Sequence, residues 1–132
     1  MYTMKEVCDQ VGISYETLRF YCNEGLVPHV KRDKNNYRVF DEKNINWLKS
    51  LQCLKKCGMG IKEMKQYMNL CQEGASTIPE RKRLLAIQEA FLLSRISEIN
   101  ESIDFIQKKQ EYFDGALAGK IKHASNLIQT DE

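Results

Sequence analysis

Residues 14–25 read SYETLRFYCNEG, and this stretch decides the fold. Ser14 stands where a side-chain hydroxyl can cap the start of a helix, and Gly25 stands where a glycine can end one. Leu18 and Cys22 are four residues apart, so they share one helical face and are expected to point into a core. The stretch therefore predicts a short amphipathic helix.

A second short helix is predicted just before it. Thr3-Met4-Lys5-Glu6 has the pattern of a capping box, in which the side chains of Thr3 and Glu6 each bond the other residue's backbone amide. This helix is expected to end at Gly12. Two short amphipathic helices joined by a glycine-containing turn predict a helix-turn-helix.

A basic hairpin is predicted after the two helices. Pro28 breaks the helical pattern, and residues 30–32 and 37–40 can pair as two strands. Asn35 and Asn36 lie between them and tolerate the positive φ that a tight hairpin turn requires. A basic hairpin directly after a helix-turn-helix predicts a wing.

Two further helices are predicted to complete this part of the chain. Asp41 can cap a third helix that runs to Gly58, and a fourth begins near Gly60. We therefore assign residues 1–74 to a winged helix-turn-helix DNA-binding domain with two further helices.

A long helix is predicted for the second half of the chain. Residues 74–76 form a short linker, residues 77–80 have the pattern of a second capping box, and no helix breaker follows before about Phe113. Apolar residues recur along it in steps of four and three, the spacing of a heptad seam. The seam consists of Leu92, Ile96, Ile99, Ile103 and Ile106.

The length of this helix implies a partner. A helix of about 35 residues is about 50 Å long, whereas a compact globule of this size has a radius of gyration of about 14 Å. We therefore predict a mainly α protein in which residues 75–116 form a coiled-coil dimerisation helix, followed by a flexible tail over residues 117–132. The alternative is a helix that folds back on its own domain.

The composition is that of a soluble folded protein. The chain has 132 residues with a net charge of +2, but residues 1–68 carry 12 Lys/Arg against 8 Asp/Glu, and residues 69–132 carry 8 against 10. The basic half favours a polyanion partner. The five cysteines are an odd number and are expected to be reduced thiols. With no long apolar run and no signal-peptide pattern, we expect no membrane partner and a cytoplasmic location.

The order of these parts resembles the MerR family of bacterial transcription regulators. The resemblance rests on three motifs in this sequence. They are residues 17–28, residues 32–40 and residues 58–65. Phe20, Asn36 and Gly60 depart from the family's usual tyrosine, glycine and serine.

The resemblance implies a homodimer, joined by an antiparallel coiled coil of the two long helices, that binds a palindromic promoter with an overlong spacer. Such a regulator bends and untwists the DNA so that RNA polymerase can start transcription, a form of indirect readout. The matching DNA-contact positions are Tyr15, Thr17, Arg19, Phe20, Tyr21, Tyr37 and Arg38. For Tyr21 a half-buried aromatic ring is the other interpretation, and both can hold together. Lys31 and Arg32 join them as candidate phosphate contacts because of their charge beside the wing.

The cysteines fall into two groups on the helical wheel. Cys8, Cys22 and Cys71 lie on apolar faces, where a small buried side chain is the ordinary explanation. Cys53 and Cys57 lie away from the apolar arc of the third helix. Lysines at positions 49, 55 and 56 could stabilise a Cys53 thiolate.

Residues 51–56, together with residues 72–77 and Arg81, resemble the branch of the family that responds to reactive aldehydes. In that branch a single cysteine at the position of Cys53 is the sensor. We therefore predict that Cys53, with Cys57 secondary, senses reactive aldehydes or thiol stress. Its alkylation or oxidation is expected to alter packing against the partner's long helix. A metal sensor is disfavoured because no cysteine lies near either end of the long helix. We predict no cofactor and no metal.

Other interpretations stay open. Cys53 could be an interface cysteine without a sensory role, the inducer could be a lipophilic compound between the dimer helices, or the chain could be an architectural DNA-binding protein without an inducer. An enzyme is not expected, since the sequence has no glycine-rich phosphate loop and its two histidines, His29 and His123, are far apart.

Overall fold

A computed structural model describes residues 1–125 and 127. The chain divides by its internal contacts into two units, Met1–Ala90 and Phe91–Glu132, and each is described by itself. The elements are α1 (Met4–Val11), α2 (Tyr15–Asn23), β1 (Lys31–Arg32), β2 (Arg38–Val39), α3 (Glu42–Lys56), α4 (Ile61–Glu73), a 3₁₀ turn (Ala75–Thr77) and α5 (Ile78–Leu117). The predicted mainly α fold class is confirmed.

Side-chain caps start the first two helices as predicted. The Thr3 hydroxyl accepts from the backbone amide of Glu6 at 3.2 Å, and the Glu6 carboxylate accepts from the amide of Thr3 at 3.0 Å. Ser14 caps α2 by accepting from the amide of Thr17 at 3.1 Å. Gly12 ends α1 with a φ of 78°, in the left-handed region that glycine adopts without strain.

The wing is a two-stranded antiparallel hairpin, with strands shorter than the predicted ones. Its turn is held by Asp33, whose Oδ1 accepts from the backbone amides of Asn35 and Tyr37 at 2.9 and 3.0 Å. Asn36 has the positive φ expected there, at 65°. An isolated bridge pairs Tyr2 with Phe40, so the N-terminus is joined to the base of the wing.

The core of the first unit lies between α1, α2, the base of the wing, α3 and α4. An Asp41–Asn44 capping box starts α3, and the Trp47 indole N–H donates to the carbonyl of Leu26 at 2.7 Å. The side chains with almost no exposure are Val7, Leu18, Tyr21, Leu26, Phe40, Ile45, Leu48, Leu51 and Met64. Burial of these apolar surfaces stabilises the arrangement of the helices.

The predicted capping box at residues 77–80 is wrong. Thr77 lies in the 3₁₀ turn, where its hydroxyl is directed at the carbonyls of Leu70 and Gly74 and accepts from Arg81 Nε. The Thr77 hydroxyl therefore bonds backbone carbonyls at the end of α4 and does not cap the backbone amides at the start of α5. The T-x-x-E pattern could not reveal this, because the competing carbonyl is seven residues earlier.

The long helix is longer than predicted, with 40 residues ending at Leu117. Beyond it the chain turns at Gly119, and the Tyr112 hydroxyl accepts from the backbone amide of Ala124 at 3.0 Å. The predicted domain boundaries stay a prediction. Of the predicted flexible tail, residues 126 and 128–132 lie outside the described residues.

Candidate DNA-binding surface and cysteine cavity

The exposed face of α2 carries four of the predicted DNA contacts. Tyr15 is 56% exposed, Arg19 and Phe20 are also exposed, and Thr17 is half-buried beside Ser14. Leu18 lies on the opposite face with no exposure. An exposed arginine and exposed aromatic rings on one short helix can contact base edges and phosphates in a major groove.

Tyr21 does not share that face. It is 2% exposed, and its hydroxyl donates to Oε1 of Gln52 on α3 at 3.2 Å. The ring is therefore part of the core beneath α2, and the geometry disfavours the predicted DNA contact at this position. Its spacing of three from Leu18 is the signal that could have placed it inside.

The wing presents the other predicted contacts beside α2. Lys31, Arg32 and Tyr37 are exposed, with Tyr37 at 70%. Arg38 is half-buried, and its Nη2 donates to Oδ1 of Asn23 at the end of α2, at 2.7 Å. The wing arginine is thus held against the recognition helix, so the two DNA-contact elements are fixed relative to each other.

The wing cations also affect a neighbouring thiol. Burial raises the pKa of Cys22 above the usual thiol value, and the charges of Arg38 and Arg32 partly oppose this rise. A raised thiol pKa means a neutral, unreactive side chain at neutral pH. This agrees with the structural role predicted for Cys22.

Cys53 is exposed and lines a cavity of about 530 Å³ between α3 and α4. Lys49 lines the same cavity, whereas Lys55 lines a different one beneath Phe20. Of these two predicted cationic neighbours, Lys49 is therefore the one that shares the cavity with the thiol. The cavity walls are Trp47, Lys49, Ser50, Cys53, Leu54, Tyr67 and Cys71.

Cys71 is a cavity residue that the sequence did not point to. It is half-buried on α4, and Nη1 of Arg81 lies 3.8 Å from its sulfur. Beside it, the pKa of Tyr67 is raised above the usual phenol value, chiefly by burial and also by Cys71. Two thiols therefore line one cavity, although they are 18 positions apart in the chain.

Cys57, the secondary sensor candidate, lies elsewhere. Cys57 is the C-cap residue of α3, and its backbone carbonyl accepts a hydrogen bond from Nε2 of Gln88. It is not among the residues that line the cavity of Cys53. The structure thus separates the two cysteines that the helical wheel had grouped.

The predicted dimer seam is exposed on α5. Ile96, Ile99, Ile103 and Ile106 are each between 47% and 55% exposed, and Leu92 is half-buried. A regularly spaced row of exposed branched side chains is typical of a surface that packs against another helix. Within the part of the chain that the structure describes, no helix is long and apolar enough to cross a membrane.

The sequence model of the family described as "MerR HTH family regulatory protein" matches residues 2–71 of this chain. The chain belongs to the MerR family. The match covers the helix-turn-helix, the wing, α3 and most of α4, which are the elements described above. The predicted family is therefore confirmed.

Two HTH-type transcriptional regulators are similar over much of the chain. An uncharacterized HTH-type transcriptional regulator of Haemophilus influenzae is 39% identical over 132 residues, which are 99% of this chain and 97% of that protein. The HTH-type transcriptional regulator AdhR of Bacillus subtilis is 35% identical over 88 residues, which are 67% of this chain and 63% of AdhR.

Two solved MerR structures share the fold. One is HiNmlR, a MerR family regulator lacking the sensor domain, bound to promoter DNA; it is 38% identical, with a TM-score of 0.71 and coverage of 89% of this chain and 93% of that one. The other is a MerR family regulator from Listeria monocytogenes, 28% identical, with a TM-score of 0.76 and 90% coverage of both chains.

These similarities confirm the predicted function at the level of the family. The chain is a DNA-binding transcriptional regulator of the MerR type. Regulators of this family act as dimers on promoter DNA together with RNA polymerase. The predicted partners are therefore confirmed. The relatives are transcriptional regulators, which are not enzymes.

Proposed function

We propose that this MerR regulator binds a pseudo-palindromic promoter as a homodimer and controls transcription by distorting the DNA. The observation that carries the proposal is the Arg38–Asn23 hydrogen bond, which fixes the basic wing beside the exposed face of α2. When the recognition helix α2 and a phosphate-binding wing are held in one orientation, they can impose a defined geometry on a DNA duplex. HiNmlR, which was solved on promoter DNA, is 38% identical to this chain.

The seam on α5 supports the homodimer. Its four exposed isoleucines would bury apolar surface against a second copy of the same helix, and antiparallel pairing brings two identical seams together. A two-fold dimer places two reading helices in related orientations, so each recognises one half-site. We place the regulator in the cytoplasm with its DNA and assign it no catalytic activity.

The experiment is selection of bound duplexes from a random-sequence DNA library with the full chain. We expect the recovered duplexes to share a pseudo-palindrome with two related half-sites. Arg19→Ala should weaken binding to the selected duplex by about tenfold, since a good arginine contact to a base is worth about 1–3 kcal/mol. Recovery of duplexes without two-fold symmetry, or of none, would overturn the proposal.

We further propose that Cys53 senses a small electrophile of the aldehyde class. The support is its exposure at a cavity that Lys49 also lines. The sulfur adds to the carbonyl carbon, the π electrons move to the oxygen, and the oxygen takes up the proton that left the thiol. The resulting hemithioacetal contains every atom of both reactants.

The adduct would act by filling the cavity between α3 and α4. A group attached to Cys53 changes the surface that α3 offers to the partner's long helix, which couples the thiol to the relative position of the two reading helices. Any such shift is limited by the difference in free energy with which the adduct stabilises the two states.

The test combines intact mass measurement with a transcription reporter, using Cys53→Ser and, as a matched control, Cys57→Ser. With formaldehyde we expect wild type and Cys57→Ser to gain one aldehyde and to induce the reporter. Cys53→Ser should do neither while keeping its affinity for DNA. Normal induction of Cys53→Ser would leave Cys53 as an interface cysteine without a sensory role.

A further inference from the structure

A second cavity, of about 360 Å³, lies where α1, α2 and the wing meet. Residues 3–5 of α1 and its cap form one wall, Tyr15 at the start of α2 forms another, and the wing closes the rest. Lys5, an exposed residue of α1, contributes to this cavity. Lys5 has no place among the DNA contacts implied by the sequence.

Three cations converge on the cavity. The three are Lys5, Arg32 and Arg38, which line the cavity together with one carboxylate, Asp33. Asp33 Oδ1 accepts from two backbone amides of the wing turn, which commits that oxygen to the turn. The charge balance of the lining is therefore positive.

Both arginines are held in place by the protein. Nη1 of Arg32 donates to the carbonyl of Asn36 at 2.8 Å, and Nη2 of Arg38 donates to Asn23 Oδ1 at 2.7 Å. A guanidinium has five N–H donors, so each arginine keeps further donors after these bonds. Preorganised donors cost less entropy when a ligand binds.

The hydroxyls of Tyr15 and Tyr37 add neutral donors at the rim of the cavity, on two side chains that are both more than half exposed. Cations, arginine forks and tyrosine hydroxyls together are the groups that bind a phosphodiester oxygen. Tyr15 also begins the reading helix, so a phosphate held here would lie directly beside the groove that α2 reads.

We propose that Lys5, Arg32 and Arg38 form a cradle for one backbone phosphate in each half of the promoter site, an inference that rests on the proposed function. The first helix of a helix-turn-helix crosses the DNA backbone, which is where Lys5 lies. The cradle binds α1 and the wing to the same phosphate and so sets the register of α2 in the groove.

The salt dependence of DNA binding tests whether these three cations contact a phosphate. The probe is a duplex obtained from the selection described above, and the variants are Lys5→Ala, Lys5→Arg and Lys82→Ala. Lys82 is an exposed lysine of α5 and controls for the loss of one positive charge. Each neutralised phosphate adds about 0.9 to the slope of log affinity against log salt, so replacing all three cations with alanine should lower the slope of the dimer by about 1.8. Lys5→Ala, which removes one of the three, should lower the slope by part of that amount.

Lys5→Arg and Lys82→Ala should keep the slope of the wild type. Between about 50 and 200 mM salt, the full change of slope by about 1.8 corresponds to about a twelvefold difference in the loss of affinity. Thermal unfolding checks that each variant folds, and Lys5→Arg keeps the test informative if removal of the side chain destabilises α1.

Single methylphosphonate substitutions then locate the phosphate. One neutralised position per half-site should weaken the wild type more than it weakens Lys5→Ala, because the variant has already lost one of the three cations that contact this phosphate. An unchanged slope for Lys5→Ala, or additive effects at every phosphate, would overturn the cradle. If the wild type binds no duplex at all, the proposed function fails instead, so the two failures are distinguishable.

Free inorganic phosphate is the other source of the same chemistry. At constant ionic strength we expect millimolar phosphate to leave DNA binding by the wild type unchanged. Displacement of the duplex from the wild type but not from Lys5→Ala would assign the cavity to a free anion and overturn the DNA contact.

Discussion

Arg38 of the wing and Asn23 at the end of α2 are joined by a hydrogen bond of 2.7 Å between Nη2 and Oδ1. The two residues are 15 positions apart, and the bond holds the hairpin against the reading helix. Its acceptor is a neutral amide, so the arginine keeps its full positive charge for DNA. The bond therefore orients a phosphate contact without neutralising it.

Asn23→Ala should weaken binding to the selected duplex by about two- to tenfold, because one hydrogen bond contributes about 0.5–1.5 kcal/mol. Arg38→Ala should weaken it more, since that variant loses both the bond and the charge. Fluorescence anisotropy measures both affinities. Equal affinity of Asn23→Ala and the wild type would show that the wing is oriented without this bond.

Tyr21→Phe separates a structural role from a DNA contact. The variant keeps the buried ring and loses the hydroxyl that donates to Gln52, so we expect the free energy of unfolding to fall by about 1 kcal/mol. Affinity for the selected duplex should change less than twofold, because a hydroxyl that does not contact DNA contributes little to binding. A folded Tyr21→Phe protein with a large loss of affinity would restore Tyr21 as a contact.

Local chemistry accounts for the parts of the fold that the sequence predicted well. The caps at Thr3 and Ser14 and the turn at Asn36 depend on residues within four positions, so the sequence pattern contains all the partners. The resemblance placed Tyr21 on the DNA surface because the motif runs through Phe20 and Tyr21 together. Helical spacing alone puts Tyr21 beside Leu18 in the core.

Contacts between distant elements explain what the sequence missed. Cys71 belongs to the cavity of Cys53 only because α4 packs on α3, and no spacing rule relates the two thiols. Lys5 belongs to the wing cavity because the N-terminus pairs with the base of the wing through Tyr2 and Phe40. Both facts require the tertiary arrangement, which a helical wheel of one element does not contain.

Ile99→Asp tests the seam on α5. A carboxylate at the middle of the seam would meet the partner's apolar surface. Loss of the buried isoleucine alone costs about 2 kcal/mol in each protomer, which is about a thousandfold in the Kd of the dimer. Sedimentation velocity over a concentration series gives the Kd. Ser97→Asp, an exposed position of the same helix off the seam, is the matched control and should dimerise normally. Normal dimerisation of Ile99→Asp would place the interface elsewhere.

Gly60→Ser should stabilise the start of α4. Gly60 is the N-cap of α4 with ordinary φ and ψ of −82° and 175°, and no side chain caps the helix there. A Cβ at this position would lie 2.6 Å from Oε2 of Glu63, the far end of a flexible side chain that can rotate away. Glu63 is the third residue of the helix, so a serine at position 60 would complete a capping box.

The expected gain in the free energy of unfolding is a few tenths of a kcal/mol, about the difference between serine and glycine caps. Gly60→Ala is the matched control, because it adds the same Cβ without an acceptor for the helix amides. Chemical denaturation should rank the serine variant above the wild type and the alanine variant below it. A serine variant no more stable than the alanine variant would show that contact with Glu63, rather than the missing cap, limits the stability of this helix start.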